Sequence, residues 1–214
     1  MSQVAISGNA SGTGTLTIAS PNTNSNYTLT LPTATTTIVG TDATQTLTNK
    51  TIQGGAITSG TAVASTSGTS INFTDIPSWV KRVTVMLNGV SLNSTAYILV
   101  QIGDSGGVET SGYSSVSNYF TTATAAPATS TAGFVINNIG TAAQLISGHL
   151  VLTLLNPATY LWVASGTFIG TGTYNQTAIT GGSKTLSDVI DRVRITSTST
   201  DTFDAGSINI LYEG

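Results

Sequence analysis

Short stretches of alternating apolar and polar residues run through most of this sequence. In the stretch 82–87, Val83, Val85 and Leu87 fall on one side of the chain. Successive side chains of a strand point to opposite faces, so this period of two predicts a strand with one buried face. The same alternation, or a continuous apolar run, recurs at 71–73, 97–102, 133–137, 149–155, 160–168, 192–196 and 208–212.

Turn-forming residues lie between most of these stretches. Asn88-Gly89 predicts a tight turn, and Asp104–Gly107 predicts another. Many short strands separated by turns predict an all-β fold, and more narrowly a jelly-roll-like β-sandwich over residues 69–214. The Thr- and Ala-rich stretch 119–132 is predicted to be a long surface loop.

The first 60 residues differ, because their apolar residues come in short bursts within threonine-rich stretches. Each burst is too small to close a core alone, and such chains usually gain burial by packing against copies of themselves or a partner. Residues 1–60 therefore predict an extended β-rich arm, and the small residues of 61–68 predict a linker. The residues expected to make the contacts of the arm are Leu16, Ile18, Leu29, Leu31, Leu47 and Ile52.

The composition removes two classes of partner. Charged residues make up 7% of the chain, against about 25% in ordinary globular domains. The net charge is −3 and the six Lys and Arg residues are scattered, whereas nucleic-acid binding needs clustered cations. No apolar run approaches the ~20 residues of a membrane-spanning helix. The sequence therefore predicts neither nucleic-acid binding nor membrane insertion.

Few residues are suited to catalysis or metal binding. The chain has no cysteine and one histidine, His149, which lies in an apolar stretch and is expected to be structural or on the surface. A Ser-His-Asp triad would need that histidine as its base. Asp104–Gly107 with Glu109 offers oxygen ligands for calcium, but the spacing of a calcium loop is absent, so a hairpin turn is favoured.

Two pairs of carboxylates were weighed for glycoside hydrolysis, which needs two such groups. Asp188 and Asp191 are three residues apart, and so are Asp201 and Asp204. For the first pair we favour an ion pair with one of the arginines that follow, and for the second local hydrogen bonds in a turn. The sequence therefore predicts no catalytic, cofactor-binding or metal-binding residues, and no enzymatic activity.

Four aromatic residues, Tyr113, Tyr119, Phe120 and Tyr174, fall in predicted loops or at loop edges. Exposed rings stack on sugars, and they also pack in subunit interfaces. We favour a subunit interface or the core over glycan binding, and both interpretations stay open at this point.

Several segments resemble proteins of bacteriophages. Gln45–Ile52 (QTLTNKTI) resembles a sequence that recurs in tail-fibre and related appendage proteins, and Tyr27–Pro32 and Thr37–Thr41 resemble the same neighbourhood. Ile76–Val83 (IPSWVKRV) and Phe203–Ile210 (FDAGSINI) are similar to segments of small phage and prophage proteins. The resemblance touches both halves of the chain.

The resemblance implies a non-enzymatic protein of the phage particle, made in the host cytoplasm and usually homotrimeric. Its arm would dock on other structural proteins of the tail or capsid through the six apolar residues named above, and its sandwich would point outward. The leading expectation is a short tail fibre or fibre tip that contributes to host attachment, with a host-surface glycan as a further partner. The alternative is a head fibre or capsid decoration protein bound to the shell.

Overall fold

The computed structural model describes residues 11–14, 23–26, 57–137 and 141–214. The chain divides into two units, Met1–Lys50 and Thr51–Gly214. In the first unit, the two described segments form no strand, and the Thr23 hydroxyl accepts a hydrogen bond from the Ser25 amide at 3.1 Å. The predicted contact residues of the arm lie outside the described residues: Leu16, Ile18, Leu29, Leu31, Leu47 and Ile52.

The described residues of the second unit form strands and connecting turns, with no helix among them. The strands are β1 (Ile57–Ser59), β2 (Val63–Ala64), β3 (Ser70–Phe73), β4 (Arg82–Leu92), β5 (Ile98–Asp104), β6 (Gly107–Val108), β7 (Tyr113–Phe120), β8 (Ala125–Ser130), β9 (Phe134–Ile136), β10 (Leu145–Asn156), β11 (Leu161–Thr171), β12 (Gln176–Thr185), β13 (Arg192–Ser197) and β14 (Phe203–Glu213). The all-β prediction is confirmed.

These strands form two antiparallel sheets. The large sheet has the order β1-β14-β4-β10-β11-β12-β7-β8, with β2 also paired to β14. The small sheet has the order β3-β13-β5-β6, with β9 also paired to β5. Among the described strands, the chain passes from one sheet to the other eight times, so strands that follow each other in sequence often lie in different sheets. This order does not confirm a jelly roll, so the narrower part of the prediction stays unconfirmed.

One apolar core lies between the sheets. Val83, Val85 and Leu87 of β4 are buried in it, as their alternation predicted, together with Val100 and Ile102 of β5. Burying a side chain of this size is worth roughly 1.5–3 kcal/mol. The largest fully buried side chains are Trp162, Phe134, Phe168 and Phe203.

The predicted turn at Asn88-Gly89 is wrong, because both residues lie inside β4. Gly89 has a φ of +61°, and the pairing of β4 with β10 and with β14 shifts register around it. The pair that suggested a hairpin is therefore part of a β-bulge, in which glycine readily adopts positive φ.

The predicted loop at 119–132 is also wrong. β7 extends to Phe120 and β8 returns beside it, with Pro127 opposite Asn118. Because β8 is an edge strand, it tolerates a proline that cannot donate to a further neighbour.

The predicted linker 61–68 is partly strand. Val63 and Ala64 pair with β14, and Ser65 is buried, its hydroxyl donating to the Ala205 carbonyl oxygen at 2.8 Å. The small residues at this position allow the chain to lie flat against β14.

A neutral outer face on the large sheet

The most unusual surface of the described residues is the outer side of β7, β8, β10, β11 and β12. Five apolar side chains there are exposed, with between 38% and 54% of each residue accessible. Contiguous exposed apolar patches mark interaction sites more often than scattered apolar residues do. The five residues are Leu145, Ile169, Ile179, Val116 and Phe120.

The strand register makes these residues neighbours. Ile169 pairs with Thr177 while Thr167 pairs with Ile179, so the two isoleucines are diagonal neighbours on one face. Diagonal side chains in an antiparallel pair are close enough to interact. On the other side of Ile179, the β7 register places Phe120 and Val116 at the two diagonal positions. The apolar side chains therefore form a continuous stripe across four strands.

No formal charge interrupts this surface, which we call the neutral face. Its outward residues are hydroxyl, amide, apolar or glycine, and its single ionisable side chain is that of His149. Among the described residues, one ion pair has both partners in the large sheet, and it joins Arg82 Nε and Glu213 Oε1 at 3.2 Å, on β4 and β14 beyond β10. Lys184 of β12 is also charged, but it is buried on the inner side of its strand. The outward residues are Ser114, Val116, Asn118 and Phe120 of β7; Ala125, Pro127 and Thr129 of β8; Leu145, Ser147, His149, Val151 and Thr153 of β10; Leu161, Val163, Ser165, Thr167, Ile169 and Thr171 of β11; and Thr177, Ile179, Gly181, Ser183 and Thr185 of β12.

A hollow lies beside Val116 because its partner on β12 is Gly181, which has no side chain. The groove there has a volume of about 600 Å³ and includes Thr129 and Ser130 of β8. A Cβ added to Gly181 would meet only the Ala164 carbonyl oxygen, at an ordinary 3.8 Å. The hollow is thus an open feature of the neutral face, and no neighbour forces residue 181 to be glycine.

The orientation of β12 is fixed from its inner side. Ala178 and Thr180 are buried, and the Thr180 hydroxyl lies 2.9 Å from Ser117 Oγ and 3.0 Å from the Val135 carbonyl oxygen. If β12 shifted its register by one residue, Ile179 would face the core, and Ala178 and Thr180 would face outward with the hydrogen bonds of Thr180 lost. Ile179 therefore points outward as a consequence of the register.

The four aromatic candidates separate into two groups. Tyr113 is in β7 rather than in a loop, and only 3% of it is exposed. Its hydroxyl donates toward the Ile102 and Glu109 carbonyl oxygens and accepts from the Ile102 amide at 2.8 Å. Burial raises the pKa of the Tyr113 hydroxyl well above its ordinary value. Tyr119 is partly buried against the core, whereas Phe120 and Tyr174 are exposed.

Tyr174 lies in a groove at one end of the large sheet. Buried Gln144 holds its backbone, donating to the Tyr174 carbonyl oxygen at 2.7 Å and accepting from its amide at 3.2 Å. The groove has a volume of about 710 Å³ and is lined by Thr121, Thr122, Ala123, Thr124, Thr141, Thr173, Tyr174 and Asn175. An exposed ring on a fixed backbone among hydroxyl and amide groups suits a neutral polar ligand.

Asp104 and Glu109, which were weighed as calcium ligands and not favoured as such, make other contacts. Ser187 Oγ lies 2.5 Å from Asp104 Oδ2 and 3.0 Å from Glu109 Oε1, and Lys184 forms an ion pair with Glu109. The Ser187 hydrogen bond holds the pKa of Asp104 below its ordinary value. For Glu109, burial raises the pKa, but hydrogen bonds from Lys184 and Ser187 outweigh it and the net pKa is lowered. Within the described ranges, no group of three or more His, Asp or Glu side chains is placed to hold a metal ion.

Two of the carboxylates weighed for glycoside hydrolysis, Asp191 and Asp201, make structural contacts. Asp191 forms the predicted ion pair with Arg192, Oδ1 to Nε at 2.6 Å. Asp201 accepts from the Ala96 amide at 2.9 Å and from the Ser199 hydroxyl at 2.7 Å, which agrees with the predicted turn. His149 is exposed on the neutral face. No helix in the described ranges is long and apolar enough to cross a bilayer.

Sequence reasoning missed most of the neutral face. Ile169 and Ile179 were not selected, and β12 was not predicted at all. A usable signal was present in Phe168-Ile169. Consecutive residues of a strand point to opposite faces, so two large apolar residues in a row indicate an apolar side chain on each face of the sheet. Comparisons with models of protein families, with curated proteins and with solved structures found no match.

Proposed function

We propose that this chain is a structural protein of a bacteriophage particle, a short tail fibre or fibre tip that contributes to attachment to the host surface. The observation that carries the proposal is the neutral face, an exposed apolar sheet surface suited to assembly. The resemblance of Gln45–Ile52 and Phe203–Ile210 to segments of phage proteins is the reason for proposing a phage particle. Of the acidic side chains weighed for catalysis, Asp191 forms an ion pair with Arg192, and Asp201 accepts hydrogen bonds from the Ala96 amide and the Ser199 hydroxyl, which supports a non-enzymatic role.

In this proposal the two parts of the chain have separate tasks. The arm, residues 1–60, docks on other structural proteins of the particle, and the all-β unit forms the outward knob. The groove around Tyr174 is the surface that we assign to a host glycan, because its aromatic ring and its hydroxyl and amide groups are uncharged.

The second candidate is a head fibre or capsid decoration protein. The exposed apolar residues of the neutral face favour it as well, because such a patch marks an interaction site whichever part of the particle is bound. The two candidates share the same chemistry and differ in the structure to which they bind.

Copy number tests the proposal and separates the candidates. Particles of the phage or induced prophage that encodes the chain would be purified and its copies counted by mass spectrometry with labelled peptides. A few copies per particle indicate a tail position, and a number set by capsid symmetry indicates the head. Absence of the chain from purified particles contradicts both candidates.

A second experiment tests the arm. Leu29→Asp and Leu47→Asp, each in the full chain, are expected to abolish incorporation into particles while the all-β unit still folds, because each places a charge on the predicted docking side. Normal incorporation of both variants would contradict a docking role for these residues.

A further inference from the structure

We infer that the neutral face binds a second copy of this chain, so that the appendage assembles through the outer sides of β7, β8, β10, β11 and β12. The inference rests on the proposed function, because it names the surface by which identical chains of an appendage associate. Val116, Ile169 and Ile179 are the residues that we place at its centre.

The size of the face fits an interface between two copies. Five neighbouring strands at about 4.8 Å spacing, each with about eight residues of about 3.3 Å, cover roughly 24 Å by 26 Å, on the order of 600 Å². Two copies meeting through this surface would bury roughly 1,200 Å² in total, which is the lower bound for specific, stable interfaces. A much smaller ligand would leave most of the apolar stripe exposed.

The chemistry of the face selects a neutral partner. A charged partner surface would lose its hydration without finding any opposite charge among the outward residues, and that loss is costly. Another copy of the same face brings apolar and hydroxyl groups that need no such compensation. Each copy also offers both an exposed isoleucine, Ile179, and an open hollow at Gly181. The surface therefore has the parts of a self-complementary contact.

Association through the face is also favoured over association through the adjacent sheet edge. That edge is β8, where Pro127 lacks an amide hydrogen and interrupts any continuous ladder with another strand. The neutral face contains no comparable obstacle to association. The predicted contact is therefore face to face.

The test measures the mass of the full-length chain by light scattering and its association constant by sedimentation. The wild-type chain is expected at twice 21.7 kDa, because a self-complementary contact between two identical faces closes with two copies. Ile179→Asp and Ile169→Asp are each expected to weaken association about 100-fold, the effect of about 2.7 kcal/mol. The control is Val189→Asp, an exposed apolar residue in the turn between β12 and β13 and outside the face, which should leave association unchanged.

A second measurement does not depend on the stability of the aspartate variants. Because the chain has no cysteine, Ile179→Cys and Val189→Cys each provide a single thiol for a short bismaleimide reagent. Efficient covalent dimer formation through residue 179, but not through residue 189, is expected. A monomeric wild-type chain overturns the inference. Association that neither isoleucine variant weakens, together with equal cross-linking through residue 179 and through the control residue, overturns it as well.

These outcomes are separate from those for the proposed function. An oligomer that depends on Ile179 in a chain absent from particles would support the interface and contradict the virion role. A monomer present in particles at a fixed copy number would support the virion role and overturn the interface.

Discussion

Lys184 forms an ion pair with Glu109 inside one end of the sandwich, where only 6% of the lysine side chain and 24% of the glutamate side chain are exposed. The lysine belongs to β12 of the large sheet, and the glutamate follows β6 of the small sheet. The ammonium also lies 5.3 Å from the ring centroid of Tyr113, close enough for a cation–π contact. The ion pair thus connects the two sheets at the end of the sandwich that contains Tyr113.

Removing the lysine is expected to destabilise the all-β unit. Lys184→Met leaves the Glu109 carboxylate partly buried without its counter-charge, and removal of one partner of a buried pair costs about 3–5 kcal/mol. Glu109 keeps its hydrogen bonds from Ser187 and some solvent contact, so we expect about 2–3 kcal/mol. Urea unfolding followed by tryptophan fluorescence measures this change.

The double variant Lys184→Met with Glu109→Gln is the control. It removes the unpaired charge while keeping a hydrogen-bond acceptor for Ser187, so part of the lost stability should return. A double variant that is as unstable as the sum of the two single variants would show that the two residues act independently.

Acid should weaken the same end of the sandwich. The pKa values of Asp104 and Glu109 are lowered below their ordinary values of 3.8 and 4.5. Since the folded state then binds fewer protons than the unfolded state, their contribution is fully present above about pH 5 and is lost as pH falls through the folded pKa values. Unfolding free energies measured from pH 6 to pH 3 should fall less steeply in Glu109→Gln than in the wild-type chain. Equal slopes would contradict a role for Glu109.

Two glycines of the large sheet should respond differently to substitution. Gly206 has a φ of +91°, and a Cβ there would stand 2.4 Å from the Gly89 carbonyl oxygen. Gly206→Ala is therefore expected to lower the free energy of unfolding by about 2–4 kcal/mol. In Gly181→Ala the added Cβ meets only the Ala164 carbonyl oxygen, at an ordinary 3.8 Å, so the free energy of unfolding should change by less than about 1 kcal/mol. Thermal unfolding of both variants measures the difference, and similar melting temperatures would contradict it.

The sequence predicted the strands whose inward residues are apolar and large enough to form a pattern. Val83, Val85 and Leu87 identify β4, because their alternation with more polar residues is enough to show which face is buried. β12 was missed, since its inward positions are small or polar: Gln176, Ala178, Thr180, Gly182 and Lys184. Phe134 packs directly over Gly182, and a Cβ there would also stand 2.4 Å from the Ser114 carbonyl oxygen. The smallness of Gly182 reflects a neighbour distant in sequence, and no local pattern shows it.

The neutral face was beyond prediction for a related reason. Ile169 and Ile179 have the chemistry of core residues, and their exposure depends on whether a second layer covers the large sheet on that side. Tyr113 shows the opposite error, because its loop-like sequence context conceals a strand position whose hydroxyl is bonded in the core. In both cases the deciding fact is tertiary packing.

The last prediction concerns host attachment. Tyr174→Ala removes a ring that is 52% exposed and leaves Gln144 bonded to the backbone of residue 174, so stability and copy number per particle should not change. If the groove around this ring holds a host glycan, particles with the variant should adsorb to host cells about 10-fold more slowly, the effect of roughly 1.4 kcal/mol. Adsorption rates of variant and wild-type particles, with Val189→Asp as the control, measure this. Normal adsorption by Tyr174→Ala would show that this groove does not contact the receptor, while the proposed assembly through the neutral face would be unaffected.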